Sequence, residues 1–234
     1  MTKRSALDLI DDWLATGFTS RRGGLEEPDP VADAITVPAR GAAAASAADL
    51  RRAELEAVAA DVEECSRCVL SMNRTKAVPG EGAIDPPVLF VGEGPGEEED
   101  RTGRPFVGAA GRYLDKWIAA VNLDRRACFI ANCVKCRPPQ NREPHPDEIA
   151  ACLPYLERQI AALAPRAIVC LGRIAAQTLL ATSTGVGALR KKVHDRKGIP
   201  LVATYHPSAV LRDRSLRAPV WEDLKRLKAL LAHG

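Results

Sequence analysis

Four short apolar runs punctuate the later part of the chain, at residues 88–91, 128–131, 167–171 and 201–204. Their length and the way the first breaks off at Gly92 predict buried strands ending in tight loops. Between them lie stretches with helical periodicity at about 110–121, 147–163, 173–181 and 219–232. In the second of these, Ile149, Cys152, Leu153, Leu156, Ile160 and Leu163 fall on one face; in the last, Trp221, Leu224, Leu227 and Leu231 do. Strand and helix in alternation predict an α/β fold. The expected architecture is a three-layer α/β/α sandwich around a mostly four-stranded parallel sheet, with an N-terminal helical extension.

The first fifth of the chain has a different pattern. Leu7, Ile10, Leu14 and Phe18, with Trp13 adjacent, predict a short amphipathic helix over 4–18. Residues 20–47, rich in Gly, Pro and Ala, read as a linker. Helix-forming composition over 48–64 then predicts a second helix that delivers the chain to Cys65-Ser-Arg-Cys68. Residues 1–50 are therefore expected to be an extension and 51–234 the working domain.

Composition narrows the setting. A hydrophobic fraction of 46% over 234 residues suits one soluble globular core. No apolar stretch approaches membrane-spanning length, and Asp8, Asp11 and Asp12 oppose a signal-peptide reading, so no membrane partner and a cytoplasmic location are expected. In that compartment the seven cysteines read as metal ligands or buried thiols rather than disulfides. The net charge of +3 hides an asymmetry: residues 1–64 hold 7 Lys/Arg against 13 Asp/Glu, residues 65–234 hold 26 against 17. A basic working domain suits a nucleic-acid partner through phosphate neutralisation, although a solvated surface would look the same.

Polar and small residues stand just beyond the predicted strands: Glu93, Asn132, Gly172 and His206. Open α/β sheets bind ligands beyond the carboxyl ends of their strands, so these positions mark a candidate site. The glycine-rich loop Gly92–Gly96 is not a phosphate cradle. Its spacing matches neither dinucleotide nor P-loop patterns, and Glu97, Glu98, Glu99 and Asp100 would repel phosphate.

Four segments carry a family resemblance: Gly92-Glu-Gly-Pro-Gly-Glu-Glu-Glu-Asp100, Gly103-Arg-Pro-Phe-Val-Gly108, Asn132-Cys-Val-Lys-Cys-Arg-Pro-Pro139 and His206-Pro-Ser-Ala-Val-Leu-Arg212. In this order they resemble the family-4 uracil-DNA glycosylases, repair enzymes that carry an iron–sulfur cluster. The resemblance runs from about Cys65 to the C-terminus and implies a monofunctional glycosylase acting as a monomer on uracil-containing DNA, single- or double-stranded. It implies that Phe106 stacks on a flipped uracil, that Asn132 reads its N3–H and O4, and that His206 hydrogen-bonds O2 as negative charge develops there. Glu93 and Gly94 lie in the implied pocket, Glu93 orienting water or countering sugar charge, a duty Glu99 or Asp100 could share. Ser208, Val210, Leu211 and Arg212 form the implied DNA-contacting loop, with Val210 and Leu211 as apolar wedges for the vacated stack. Arg190, Lys191, Lys192, Arg196 and Lys197 form a basic loop that could grip the backbone or serve as a solvated turn.

The cysteines allow two ligand sets. Spacing alone resembles a zinc ribbon built from Cys65, Cys68, Cys133 and Cys136. The family pattern implies instead Cys65, Cys68, Cys136 and Cys152 around a [4Fe–4S] cluster, leaving Cys133, Cys128 and Cys170 as buried thiols. Two other functions stay open. One is a relative that becomes covalently trapped on uracil-DNA, for which His145 is the nearby candidate; the other is a non-catalytic iron–sulfur DNA-binding module.

Overall fold

In the computed structural model of the protein, residues 41–232 are described, with side chains from residue 47 onward. The expected helix over 4–18 and most of the expected linker lie outside the described residues. The chain divides into two units, Met1–Ser46 and Ala47–Gly234, and the second carries the whole sheet.

Helix α1 spans Gly41–Glu63. It therefore takes in residues 41–47, which the sequence pattern assigns to the linker. The alanine run over 42–45 explains the difference, since alanine has the highest intrinsic helix propensity. After it come β1 (Glu81–Gly82), β2 (Val88–Gly92), α2 (Glu97–Thr102), α3 (Ala109–Ala120), β3 (Phe129–Asn132), α4 (Pro146–Leu163) and β4 (Ala167–Leu171). The chain then forms α5 (Arg173–Leu180), α6 (Val186–Leu189), β5 (Val193–Arg196), β6 (Ile199–Thr204), α7 (Pro207–Arg212) and α8 (Arg217–Ala232). Among the described residues no helix is long and apolar enough to cross a membrane.

The sheet has the strand order β1-β3-β2-β4-β6-β5. The four expected strands are its parallel centre, in register Gly92↔Asn132 between β2 and β3, Phe90↔Val169 between β2 and β4, and Leu171↔Thr204 between β4 and β6. Two antiparallel edge strands add to the expected four: short β1 on β3, and β5 on β6. The β5–β6 hairpin turns on Lys197 and Gly198, both in the left-handed region at φ 53° and 86°, a pairing that suits a two-residue hairpin turn. It lies in the segment that reads in sequence as a basic loop. Arg196 and Lys197 both pair with Glu157 on α4, and Arg190 pairs with the buried Asp223 on α8, so three of its five cations are held by the fold.

Alternation along the central strands feeds two apolar layers. Val88, Phe90, Ile130, Val169 and Leu171 pack against Leu114, Trp117 and Ile118 of α3 and Leu224 and Leu227 of α8. Leu89, Val91, Phe129, Ile168 and Cys170 pack against Leu156, Ile160 and Leu163 of α4 and Leu179 of α5. Each fully buried large side chain contributes about 1.5–3 kcal/mol, so the two layers hold the sheet rigid. Because β3 lies on one side of β2 and β4 on the other, the connections leaving β2 and β4 diverge. A crevice opens there, at the carboxyl ends of the strands.

Candidate active site

That crevice is a cavity of about 450 Å³, and Glu93, Gly94, Phe106, Asn132, His206, Ser208 and Arg212 all line it. Glu93, Gly94 and Asn132 arrive from strand ends, Phe106 from the loop between α2 and α3, and His206, Ser208 and Arg212 from the start and body of α7. Asn132 closes β3, and Glu93 follows β2 directly across the register pair Gly92↔Asn132. A Cβ on Gly92 would stand 2.4 Å from Asn132 Oδ1 and 2.6 Å from Phe106 Cζ, so only glycine lets the amide and the ring close over the strand end. Asn132 is buried, and its Oδ1 has no hydrogen-bond partner among the described residues. Such an orphan in a native fold points to a ligand donor that would complete it.

Phe106 is both core and wall: it belongs to the α3–α8 apolar layer and lines the cavity, its ring centroid 5.7 Å from that of His206. His206 caps the N-terminus of α7, its Nδ1 accepting from the Ser208 backbone N–H at 3.2 Å and standing 2.7 Å from Ser208 Oγ. A ring nitrogen that accepts carries no proton, so the proton of the neutral ring sits on Nε2. Burial, reinforced by the Arg212 charge and opposed by Glu99, pushes the imidazole pKa down to about 4. At neutral pH the ring is an uncharged hydrogen-bond donor.

The carboxylates around the pocket separate into free and engaged ones. Glu99 Oε1 accepts from the backbone N–H groups of Val107 and Gly108, both at 2.8 Å, and Oε2 accepts from Gly96 at 3.1 Å. Asp100 is buried and accepts from Thr75 N–H at 2.9 Å. Glu98 pairs with Arg101 and Glu97 with Arg137. All four lie in the first turn of α2, where the helix dipole favours negative charge. Glu93 differs: its carboxylate makes no hydrogen bond among the described residues. Burial raises its pKa, the Glu143 charge adds to the rise, and Arg173 opposes it.

The uracil DNA glycosylase superfamily pattern matches residues 79–225 of the chain. The chain is 44% identical over 185 residues to a type-4 uracil-DNA glycosylase of Sulfurisphaera tokodaii, covering 75% of this chain and 84% of that one. To a type-4 uracil-DNA glycosylase of Thermotoga maritima it is 43% identical over 181 residues, covering 76% and 94%. A type-5 uracil-DNA glycosylase of Pyrobaculum aerophilum is less similar, 32% identical over 150 residues and covering 57% and 66%. The chain belongs to the type-4 uracil-DNA glycosylases.

Within this type-4 member the α7 loop needs one correction. Val210 is 1% exposed and packs into the α3–α8 layer, so it is a core residue and no wedge for DNA. Its neighbour Leu211 is 47% exposed, because successive residues of a helix point in different directions. His145 is exposed and caps α4, outside the cavity lining. Sequence reasoning also missed part of the wall. Pro138, Asn141, Arg142 and Glu143 line the cavity from the stretch after Cys136. There Gln140 and Asn141 take left-handed φ values of 56° and 55°, and the buried Glu148 receives a two-pronged contact from Arg142. The Pro-Pro-Gln-Asn sequence is the only local signal of that bend.

Below this wall the type-4 chain gathers cysteines in a second recess. Cys65, Cys68, Cys136 and Cys152 line it together, between α1, α4 and the segment after β3. Lys135 donates its backbone N–H to Cys152 Sγ at 3.2 Å, and Arg74 Nη1 donates to Cys136 Sγ at 3.1 Å. Cys133 packs instead into the α4–α5 layer with Cys170, so the zinc-ribbon set is not brought together. Among the described residues no three His, Cys, Asp or Glu side chains converge on a point that could hold a single metal ion. Beside the recess Lys135 is wholly buried, its ammonium donating to Gln159 Oε1 at 2.6 Å and its pKa pushed down by burial to about 8. Nothing in the sequence marks that lysine as internal.

Proposed function

We propose that the chain excises uracil from DNA by hydrolysing its N-glycosidic bond, leaving an abasic site. A base inside a duplex must leave the stack before its glycosidic bond can be reached, and the cavity has room for a flipped pyrimidine. The observation that carries the reading is the orphaned Asn132 Oδ1, buried at the strand end beside an aromatic wall. As an acceptor it takes N3–H of uracil, while the same amide's NH2 donates to O4; cytosine offers the opposite pattern at both positions. Phe106 stacks on the ring.

Cleavage leaves negative charge on uracil and positive charge on the sugar. His206, neutral and protonated on Nε2, donates to O2 as that charge grows, and a preorganised donor of this kind is worth about 10²–10³ in rate. Glu93 is the carboxylate free to order water or to face the cationic sugar, since Glu99 and Asp100 are engaged by backbone N–H groups. Ser208, Leu211 and Arg212 contact the DNA around the extruded nucleotide. In this reading the protein acts as a monomer on single- or double-stranded DNA, in the cytoplasm.

Cys65, Cys68, Cys136 and Cys152 would hold a [4Fe–4S] cluster. Each thiolate of such a cluster binds a different iron, so four cysteines grouped around a recess without converging on one point suit it better than a single ion. The two N–H···S contacts are the kind that tune cluster sulfurs. Its role is structural, tying α1 and α4 to the segment that carries Asn132.

The test is base release from matched oligonucleotides carrying uracil, cytosine or thymine, single- and double-stranded. Uracil release with an intact strand until alkali treatment is the expected result. No release, or a protein–DNA adduct surviving denaturing electrophoresis, would reject hydrolysis.

A further inference from the structure

Phe106 has φ 51°, a backbone conformation that L side chains rarely adopt, and it is the residue on which base stacking rests in the function proposed above. Such a conformation persists only where the surroundings over-determine it. Here the backbone on both sides is held. Arg125 holds the carbonyls of the two peptides that flank Phe106, its Nη2 donating to Pro105 O at 2.7 Å and its Nη1 to Phe106 O at 3.1 Å. Just after Phe106, Glu99 receives the next two N–H groups, of Val107 and Gly108. The Phe106 carbonyl also lies against α3 so closely that a Cβ on Gly111 would stand 1.8 Å from its oxygen.

Arg125 is not on the cavity wall. It sits in the turn between α3 and β3, anchored from outside by Asp115 Oδ1 at 2.8 Å and Glu81 Oε1 at 3.2 Å. Glu81 is on edge strand β1 and also binds Arg104, so the anchor belongs to the sheet edge rather than to the loop. An arginine fork meets two adjacent carbonyls and two carboxylates at once, which the single ammonium of lysine does not reproduce.

We infer that Arg125 is a positioning residue for catalysis, clamping with Glu99 the left-handed backbone of Phe106 so that its ring is set as a floor before the base arrives. Release of the clamp lets residue 106 relax to negative φ and turns the ring away from Asn132 and His206. The inference rests on the reading of Phe106 as the stacking residue, and the test separates the two.

Single-turnover uracil release would be measured for wild type, Arg125→Gln, Phe106→Ala and the double variant, with melting temperatures alongside. Arg125→Gln is expected to slow release roughly 10- to 100-fold, the scale of a small misplacement of a positioned group. In the Phe106→Ala background the same change should slow it less than about twofold, because a residue acting through another loses its effect once that other is gone. Arg125→Lys should recover only part of the rate. A wild-type rate in Arg125→Gln, or its full loss repeated in the Phe106→Ala background, would overturn the clamp. Phe106→Ala at the wild-type rate would overturn the stacking reading itself, and the clamp with it. Should Arg125→Gln fail to fold, Asp115→Asn loosens the same anchor. It should give a smaller loss that disappears in the Phe106→Ala background, and persistence of that loss there would count against the inference.

Discussion

The cavity and the cysteine recess are joined by five residues, Asn132 to Cys136, yet they treat buried polar groups in opposite ways. In the cavity, two polar groups have no hydrogen-bond partner among the described residues: Asn132 Oδ1 and the Glu93 carboxylate. In the recess, the sulfur atoms of Cys136 and Cys152 are met by N–H groups of Arg74 and Lys135, and the nearby ammonium of Lys135 is bound by Gln159. A buried polar group left unpaired costs about 1–3 kcal/mol, so the cavity keeps a deficit that a substrate can relieve. In the recess the buried lysine and two of the four sulfurs are already met. The same contrast separates Glu93 from Glu99, six residues apart: one carboxylate is kept free, the other is tied to three backbone N–H groups.

Substitutions on the two sides should therefore have crossed effects. His206→Ala is expected to slow uracil release by about 10²–10³ while lowering stability only by the cost of the lost α7 cap, about 1 kcal/mol. Cys152→Ser should do the reverse in kind, lowering iron content and melting temperature together, because ligand loss removes binding energy that is also folding energy. A Cys152→Ser protein with full iron and an unchanged melting curve would erase the contrast.

The pH profile sharpens the cavity side. Glu93 is raised and His206 lowered to about 4, so as pH falls the carboxylate protonates first and the imidazole stays neutral until later. No histidine limb should appear near 6.5, where an ordinary imidazole titrates, and activity should fall along an acid limb set by Glu93, above the ordinary carboxylate range. Arg173→Gln removes the charge that opposes the Glu93 shift, so that limb should move to higher pH; an unmoved limb would assign it to another group. The imidazole adds a stability effect of its own. Its folded pKa lies below the unfolded value, so its neutral burial is undisturbed above about 6.5 and opposes folding as pH drops toward 4, because the unfolded chain takes up the proton first.

The smallest effects concern the α7 loop. Leu211→Ala should weaken activity on double-stranded substrate more than on single-stranded and leave stability within about 0.5 kcal/mol of wild type, as exposed positions do. Val210→Ala should instead destabilise the fold, by roughly 1–3 kcal/mol for a buried truncation of this size, with little preference between substrates. Equal behaviour of the two would show that burial at this loop does not separate core from DNA contact.

Much of this was legible in the chain itself. The four central strands, the helices between them and the strand-end positions of Glu93, Asn132 and His206 follow from apolar runs of strand length and from helical periodicity, which burial on both sheet faces enforces. Four motifs, from Gly92 to Arg212, were specific enough to place the family. The hairpin of β5 and β6 was hidden because Lys197-Gly198 looks like any basic turn until a partner strand is beside it. Val210 and Leu211 were indistinguishable as neighbouring apolar residues, since a six-residue helix carries too short a pattern to say which one faces in.

What the sequence alone determined, then, was the order of the layers and the chemical kinds of group at the strand ends, because both are written locally, in periodicity and residue type. Which carboxylate near the pocket stays free, which cysteines gather, and what holds Phe106 in a left-handed turn were decided only by tertiary structure. Those outcomes depend on backbone N–H groups, carbonyls and an arginine brought from distant segments, and contacts of that kind leave no pattern in the neighbouring sequence.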